Sequence, residues 1–169
     1  MVTKEKRKQY NQKYYTTAHG VIHTIYRMYR NRLIDKGEKN IPTPEEFKTW
    51  IDATKFHGHY RRYKNDNYDP NSKPKMVQLR PEDLSLDNFI ILPTRNAPRN
   101  SKPVILDNGG TSTIYISAED AAMKLGVTVK TIKDGCNGKT KTRMGKLRYL
   151  TIEERITFLK ALDSNYSAT

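Results

Sequence analysis

Residues 117–135 read SAEDAAMKLGVTVKTIKDG, and this stretch decides the fold of the second half of the chain. Ser117 can cap a helix whose small apolar residues recur at helical spacing, and Asp120 stands near the acidic position of a capping box. Gly126 supplies the left-handed turn that ends a helix, and Thr128 can cap the next one. The pattern therefore predicts two short helices joined by a tight turn.

The second of these helices has the residues of a groove-binding helix. Val129 and Ile132 recur at a spacing that buries them. The polar residues of the first turns would be exposed, with their hydroxyls, ammonium groups and helix-start N–H groups able to meet phosphates; they are Thr128, Lys130, Thr131 and Lys133. An ordinary helical hairpin has the same spacing, so the pattern alone does not assign a function.

A basic segment, NGKTKTRMGKLR, follows these helices. It carries five Lys or Arg and no acid, and a surface of this kind attracts phosphate in a salt-sensitive way. We therefore predict that it binds nucleic acid through Lys139, Lys141, Arg143, Lys146 and Arg148.

The flanking segments predict a small module around the two helices. Residues 104–106 and 114–116 would pair as a hairpin across a turn at 107–110, with a short strand near 145–150 and a final helix from 152. Residues 95–103, RNAPRNSKP, predict an extended linker. The predicted organisation is a domain at 1–94, a linker at 95–103 and a DNA-binding module at 104–169.

The first half of the chain predicts a helix-rich domain with one strand. Residues 4–35 have helical spacing with an interruption, and Thr43 can cap a helix that carries the apolar stripe Phe47, Trp50 and Ile51. Residues 55–75 are aromatic, basic and rich in turn formers. The segment LSLDNFIILPT predicts a turn at Asp87 and Asn88 before a strand. The whole chain is thus expected to be α+β.

Two groups in the basic N-terminal segment could touch nucleic acid. Arg27, Arg30 and Arg32 fall largely between the apolar positions of the predicted helix. Tyr10, Tyr14 and Tyr15 alternate with Lys and Arg, a mixture that can stack on bases and screen phosphates, although tyrosines at helical spacing more often pack inside a protein.

Charge narrows the classes of partner. The 169 residues carry 31 Lys and Arg against 18 acids, a net charge of +13, which favours a polyanionic partner. The balance is +7 over residues 1–40, +2 over 41–100 and +4 over 101–169. No segment approaches the roughly 18 apolar residues of a spanning helix, so no membrane partner is expected.

The remaining composition favours a reduced compartment. The N-terminal residues lack the apolar run of a secretory signal. A single cysteine, Cys136, cannot form an intramolecular disulfide, and the histidines and this cysteine lack the spacing of a structural zinc site. We expect a cytoplasmic protein.

Residues 101–150 resemble the small DNA-binding module that is appended to phage and mobile-intron homing endonucleases, the nuclease-associated modular domain. The resemblance is carried by the order SKPV, a hairpin, SAEDAA, LGV, a TI pair in the second helix, a CNGK turn and a closing basic aromatic strand. It implies a helix-turn-helix unit that binds target DNA outside the cleavage site.

The first hundred residues resemble, more weakly, the nuclease half of the same proteins, of the HNH or AP2-like kind. The matching segments are RKQYNQKYY…HG, PTPEEFKTWI, FHGHYRRY…NYD…KP and LSLDNFIIL…RN. Family members carry an acidic residue shortly after the Lys-Pro, and in this chain that place falls near Val77. The resemblance implies a degenerate nuclease domain.

Hydrolysis of a phosphodiester would need a divalent metal, Mg²⁺ or Mn²⁺, held by carboxylates or imidazoles, and a base that activates water. The sequence HGH at 57–59 could place two imidazoles on one side of an extended segment. Acids near the predicted strand could hold the metal, but each could equally be a turn or cap residue. The candidate catalytic residues are His57, His59, Asp83, Asp87 and Asn88, with Asp87 and His59 as metal ligands.

Two functions from different classes remain open. The first is a metal-dependent endonuclease of duplex DNA, related to homing endonucleases. The second is a catalytically inactive relative that binds nucleic acid, RNA or the ribosome and needs no cofactor; a transcription regulator that uses only the module is a third possibility. Metal-dependent cleavage separates the first from the others.

Overall fold

The computed structural model describes residues 3–97 and 102–165. Over this part of the chain there are seven α-helices and two small antiparallel sheets, which confirms the α+β class. The chain divides into two compact units that meet in the sequence between Thr94 and Arg95. We refer to them as unit 1 and unit 2 and describe each by itself.

Unit 1 begins with four helices: α1 (Lys4–Tyr14), α2 (Ala18–Asp35), α3 (Pro44–Ala53) and α4 (Phe56–Asn65). The predicted interruption in the N-terminal helix lies at residues 15–17, where Thr17 caps α2 by accepting a hydrogen bond from the Gly20 N–H at 3.0 Å. Thr43 caps α3 as predicted, and together with Glu46 it forms a full capping box.

Strands β1 (Pro74–Gln78) and β2 (Phe89–Pro93) pair as an antiparallel sheet, with Met76 opposite Ile91. Aromatic rings fill the space between the helices and this sheet: the Tyr29 ring stacks on Phe47 at 5.8 Å and meets the edge of Phe89 at 5.4 Å. The buried core of unit 1 comprises Val21, Ile25, Tyr29, Leu33, Phe47, Ile51, Phe56, Tyr63, Phe89 and Ile91.

In unit 2 a three-stranded antiparallel sheet supports the helices. Its central strand is β3 (Val104–Asp107), flanked by β4 (Ser112–Tyr115) and β5 (Lys146–Tyr149). The helices are α5 (Ala118–Leu125), α6 (Val129–Cys136) and α7 (Ile152–Asn165). The predicted hairpin, closing strand and final helix are therefore confirmed.

The two central helices follow the local signals of the sequence. Ser117 caps α5, Gly126 has φ +67° and ends it, and Thr128 caps α6. Ile132 is fully buried on α6. The core of unit 2 comprises Val104, Leu106, Tyr115, Ala118, Ala121, Ala122, Ile132 and Leu147.

Three expectations need correction or qualification. Residues 56–65 form helix α4 and not a turn-rich segment, and residues 74–78 form a strand that the sequence did not predict. Of the predicted linker at 95–103, residues 98–101 lie outside the described part; residues 94–96 form a short 3-10 turn, and Ala97 and Pro103 are buried. Among the helices described, none combines the length and the apolar composition needed to cross a membrane.

Candidate nucleic-acid interface

The start of α6 presents a capped and exposed helix end. The Thr128 hydroxyl accepts a hydrogen bond from the Thr131 N–H at 3.2 Å, and the two hydroxyl oxygens lie 2.9 Å apart. Lys130 is exposed beside them. The partial positive charge of a helix start and this lysine act together, so this end of α6 favours an anion.

The basic loop, residues 139–146, lies next to α6 and runs into β5. The Lys139 N–H donates to the Asp134 carbonyl at 2.8 Å, which ties the loop to the last turn of α6. Within the loop, the Thr142 hydroxyl donates to the Gly145 carbonyl at 2.6 Å, and these two residues form an isolated β-bridge. The loop is therefore a fixed turn against the helix.

A groove of about 480 Å³ runs between the start of α6 and the basic loop; we call it the α6 groove. Its cations come from both sides, Lys130 from the helix and Lys141 and Arg143 from the loop, and Asp134 is the acid in its lining. The other lining residues are Val127, Thr128, Thr131, Thr140, Thr142 and Met144.

The positive charge of the second half of the chain is concentrated in the basic loop. Residues 101–169 carry eleven Lys or Arg and seven acids, and four of those cations lie at 139–146, where there is no acid. The rest therefore holds seven cations against seven acids, so the local excess of +4 equals the charge of the loop. A polyanion would be attracted to this edge.

Two of the predicted phosphate-binding residues form ion pairs with acidic side chains of unit 2. Lys133 pairs with Glu119 across the two helices at 3.5 Å. The Arg148 guanidinium makes two hydrogen bonds to the Glu154 carboxylate, at 2.7 and 2.8 Å, and lies 3.6 Å from Asp107. These hydrogen bonds lower the pKa of Glu154 to about 2, so Arg148 serves the fold of unit 2 and is a poorer phosphate ligand than the sequence suggested.

In unit 1 the predicted arginines are on the surface of α2. Arg27, Arg30 and Arg32 are all exposed. Arg32 also reaches a mainly apolar cavity of about 330 Å³, which is bordered by Lys73 and Lys75 next to β1. These three arginines are therefore accessible to a polyanion.

The two histidines of the HGH segment do not share a side. On α4, residues two apart point about 200° away from each other. His57 is exposed and its Nε2 lies 2.8 Å from the Asp52 carboxylate, whereas His59 is 3% exposed within unit 1. The prediction of two imidazoles on one side of an extended segment was wrong, because the segment is helical.

Of the three remaining candidates, Asp83 and Asn88 hydrogen-bond within their own loop, and Asp87 is exposed. Asp83 accepts hydrogen bonds from the Ser85 N–H at 2.8 Å and its hydroxyl at 2.7 Å, and these bonds lower the pKa of Asp83. Asp87 is exposed in the short turn before β2. Asn88 is 6% exposed, and its side chain bonds the backbone of Arg80 and Asp83.

These five candidates do not fit one divalent metal ion as they are arranged. Among the described residues, no three His, Cys, Asp or Glu side chains lie close enough together to hold a metal. The candidates lie at separate places in unit 1. His57 is on the exposed side of α4, His59 is on its buried side, and the other three are in the segment that leads into β2.

The sequence missed part of the lining of the α6 groove. Thr140 and Thr142 lie there beside Lys141 and Arg143, and Asp134 lies opposite on the helix. The alternation of Thr with Lys and Arg in KTKTR was the available signal.

Comparisons of this chain with protein-family models, with curated proteins and with solved structures found no match.

Proposed function

We propose that the protein binds nucleic acid, and duplex DNA in particular, through unit 2, with the α6 groove as the contact surface. The observation that carries this proposal is the joining of a capped helix start to an acid-free basic loop across one groove. A helix presented in this way suits the major groove of DNA, with its start and the basic loop toward phosphates and its exposed side chains toward the bases.

The charges along the groove suggest how DNA would lie. Lys130, Lys141 and Arg143 would meet phosphates, and the start of α6 would add its N–H groups. Asp134 would repel a phosphate and accept a hydrogen bond from a base amino group such as that of cytosine. The loop and the start of α6 would thus position the DNA backbone, and Asp134 would contribute to the selection of bases.

The test is binding of labelled duplex DNA, measured by fluorescence anisotropy over a series of salt concentrations. One variant removes the three groove cations by Lys130→Gln, Lys141→Gln and Arg143→Gln. A matched control removes three exposed lysines elsewhere by Lys36→Gln, Lys39→Gln and Lys160→Gln. Each lost phosphate contact reduces the magnitude of the negative slope of log K against log salt by about 0.9, so we expect this magnitude to fall by about 2 to 3 in the first variant only.

Two results would contradict the proposal. Equal losses in the two variants would mean that total charge, and not the α6 groove, determines binding. Tighter binding of a structured RNA than of any duplex DNA would favour the RNA or ribosome alternative. A cytoplasmic location is part of the same proposal, because a single reduced thiol and a nucleic-acid ligand are both compatible with that compartment.

Metal-dependent cleavage by unit 1 stays a prediction, and one assay tests it. Supercoiled and linear DNA are incubated with the protein and Mg²⁺, Mn²⁺ or EDTA. Asp87→Ala is the informative variant because Asp87 is exposed, whereas His59→Ala would also alter the core. Cutting that needs the metal and Asp87 would support a nuclease, and tight binding without cutting would support the inactive relative.

A further inference from the structure

Helix α1 has a surface unlike that of the other helices of unit 1. Among its described side chains none is buried, and only Tyr14 is partly covered. It carries five cations and one acid: Lys4, Lys6, Arg7, Lys8 and Lys13 against Glu5. A helix that is polar all round gains little from packing on its own protein, so its surface is open to a partner.

The end of α1 is nevertheless fixed to the rest of unit 1. The Thr17 hydroxyl donates to the Tyr14 carbonyl at 2.7 Å, and the Thr16 hydroxyl donates to the Lys13 carbonyl at 2.8 Å. The Tyr60 hydroxyl of α4 donates to the Thr16 carbonyl at 3.0 Å. The first two bonds fix the end of α1 to the corner between α1 and α2, and the Tyr60 bond joins this corner to α4.

One face of α1 combines an aromatic ring with cations. Lys6, Tyr10 and Lys13 follow at i, i+4 and i+7, which places them on the same side of the helix. Tyr10 is 71% exposed, so it is not a packing residue of unit 1. The two lysines are about 10 Å apart along the helix axis with the ring between them.

We propose that this face of α1 is a second nucleic-acid-binding element that takes unpaired nucleotides. Tyr10 stacks on a base, and Lys6 and Lys13 contact the phosphates on either side of it. An aromatic ring can stack on a nucleotide only where the face of the base is accessible, and in a closed duplex the base faces are covered by neighbouring base pairs. The charge complementarity of a basic helix with a polyanion selects the partner, and the exposed ring selects its unpaired form.

This inference is independent of the α6 groove and is tested with a different ligand. Binding of a labelled oligo-deoxythymidine to the full chain is measured for Tyr10→Ala, Tyr10→Phe and Ile34→Ala. Ile34 is a matched control because it is an apolar side chain, 46% exposed, on α2 of the same unit. Thermal unfolding of each variant checks the fold, which Tyr10→Ala should leave unchanged because the Tyr10 side chain is largely exposed.

We expect Tyr10→Ala to weaken oligonucleotide binding by about fivefold or more, since stacking of one base contributes about 1–3 kcal/mol. Tyr10→Phe keeps the ring and should stay within about twofold of the parent, as should Ile34→Ala. Duplex binding should be unchanged by Tyr10→Ala and weakened in the triple variant of the α6 groove.

Three outcomes would overturn the inference. They are unchanged oligonucleotide binding in Tyr10→Ala, an equal loss of duplex binding in that variant, and binding to phosphatidylserine vesicles that needs Tyr10 while oligonucleotide binding does not. Failure of the parent protein to bind duplex DNA, with oligonucleotide binding that needs Tyr10, would instead refute the proposal for unit 2 and support this one.

Discussion

Asn88 uses its whole amide group to close the loop between the two strands of unit 1. Its Oδ1 accepts from the Arg80 N–H at 2.9 Å, and its Nδ2 donates to the carbonyls of Arg80 and Asp83 at 2.7 and 2.6 Å. Since both ends of the amide are engaged, Asn88 shapes the loop and is poorly placed to hold a metal.

We predict that Asn88→Ala lowers the free energy of unfolding by about 2–3 kcal/mol, because it removes three part-buried hydrogen bonds and the packing of a buried side chain. Asp87→Ala, at the exposed neighbouring position, should change it by less than about 0.5 kcal/mol. Urea denaturation of the two variants measures the difference. A neutral effect of Asn88→Ala on stability would contradict this structural role.

Glu154 gives unit 2 a measurable pH dependence. Its pKa is lowered from the ordinary value of 4.5 to about 2, first by the hydrogen bonds from Arg148 and then by the Thr151 N–H. A carboxylate with a depressed pKa stabilises the fold above its unfolded pKa, and this contribution is lost as the pH falls through the folded pKa.

We therefore expect the melting temperature of Glu154→Gln to lie below that of the parent at neutral pH. The difference should shrink as the pH falls from about 4.5 toward about 2, because both proteins then carry an uncharged side chain at this position. Calorimetry at a series of pH values measures it. A difference that does not depend on pH would show that packing, and not the charge, is responsible.

At the scale of elements, the corner between α1 and α2 depends on a close approach at Gly20. A Cβ added there would lie 2.1 Å from the Tyr14 carbonyl oxygen and 3.1 Å from the Tyr15 Cα. Those atoms are backbone, so a side chain at position 20 would displace the end of α1. Gly58 on α4 is the opposite case, since a Cβ there would meet nothing within 4 Å.

We predict that Gly20→Ala lowers the free energy of unfolding by about 1–3 kcal/mol and increases hydrogen exchange in α1. Gly58→Ala should instead raise it by about 0.5–1 kcal/mol, because alanine favours the helix over the unfolded chain. Denaturant unfolding and exchange measured by NMR provide the comparison. Equal effects of the two changes would contradict the close contact at the corner.

Local signals made several elements predictable. The caps Thr43, Ser117 and Thr128 and the turn at Gly126 act through neighbouring backbone groups, so the sequence predicted them correctly. Helix α4 was missed because its Gly, His and basic residues suggest a turn. The stripe of Phe56, His59 and Tyr63, at i, i+3 and i+7, was the signal that would have identified it.

Features that depend on distant partners were not predictable. Strand β1 has no clear alternation in PKMVQ and is stabilised by β2, whose residues lie far along the chain. Engagement of Arg148 depends on Glu154 in another element, and the α6 groove depends on how the basic loop packs on α6. Residue type alone predicted the cations but not which of them are neutralised.

At the scale of the whole molecule, each unit has its own hydrophobic core, and the two sets of core residues share no member. Ile51 is fully buried in unit 1, and Ile132 is fully buried in unit 2. Trp50 is the single tryptophan of the chain and packs against the core of unit 1. Its fluorescence therefore reports the unfolding of that unit.

We predict that Ile132→Ala destabilises unit 2 by about 2–5 kcal/mol and leaves the fluorescence transition of Trp50 unmoved. Ile51→Ala should shift that transition by a similar free energy. Circular dichroism, followed in the same denaturation series, should show an earlier loss of helix for both variants. A shift of the Trp50 transition in Ile132→Ala would mean that the two cores unfold together.

The ion pairs of unit 2 and its basic loop together give this unit an electric dipole. Lys124 pairs with Asp120, Lys133 with Glu119 and Arg148 with Glu154, while the loop at 139–146 holds four cations and no acid. A dipole is oriented by the field of a polyanion before contact, so the basic loop should be the part of unit 2 that contacts the polyanion first. Ionic strength would then act chiefly on the rate of association, and the lifetime of the complex would depend on the close contacts that form afterwards.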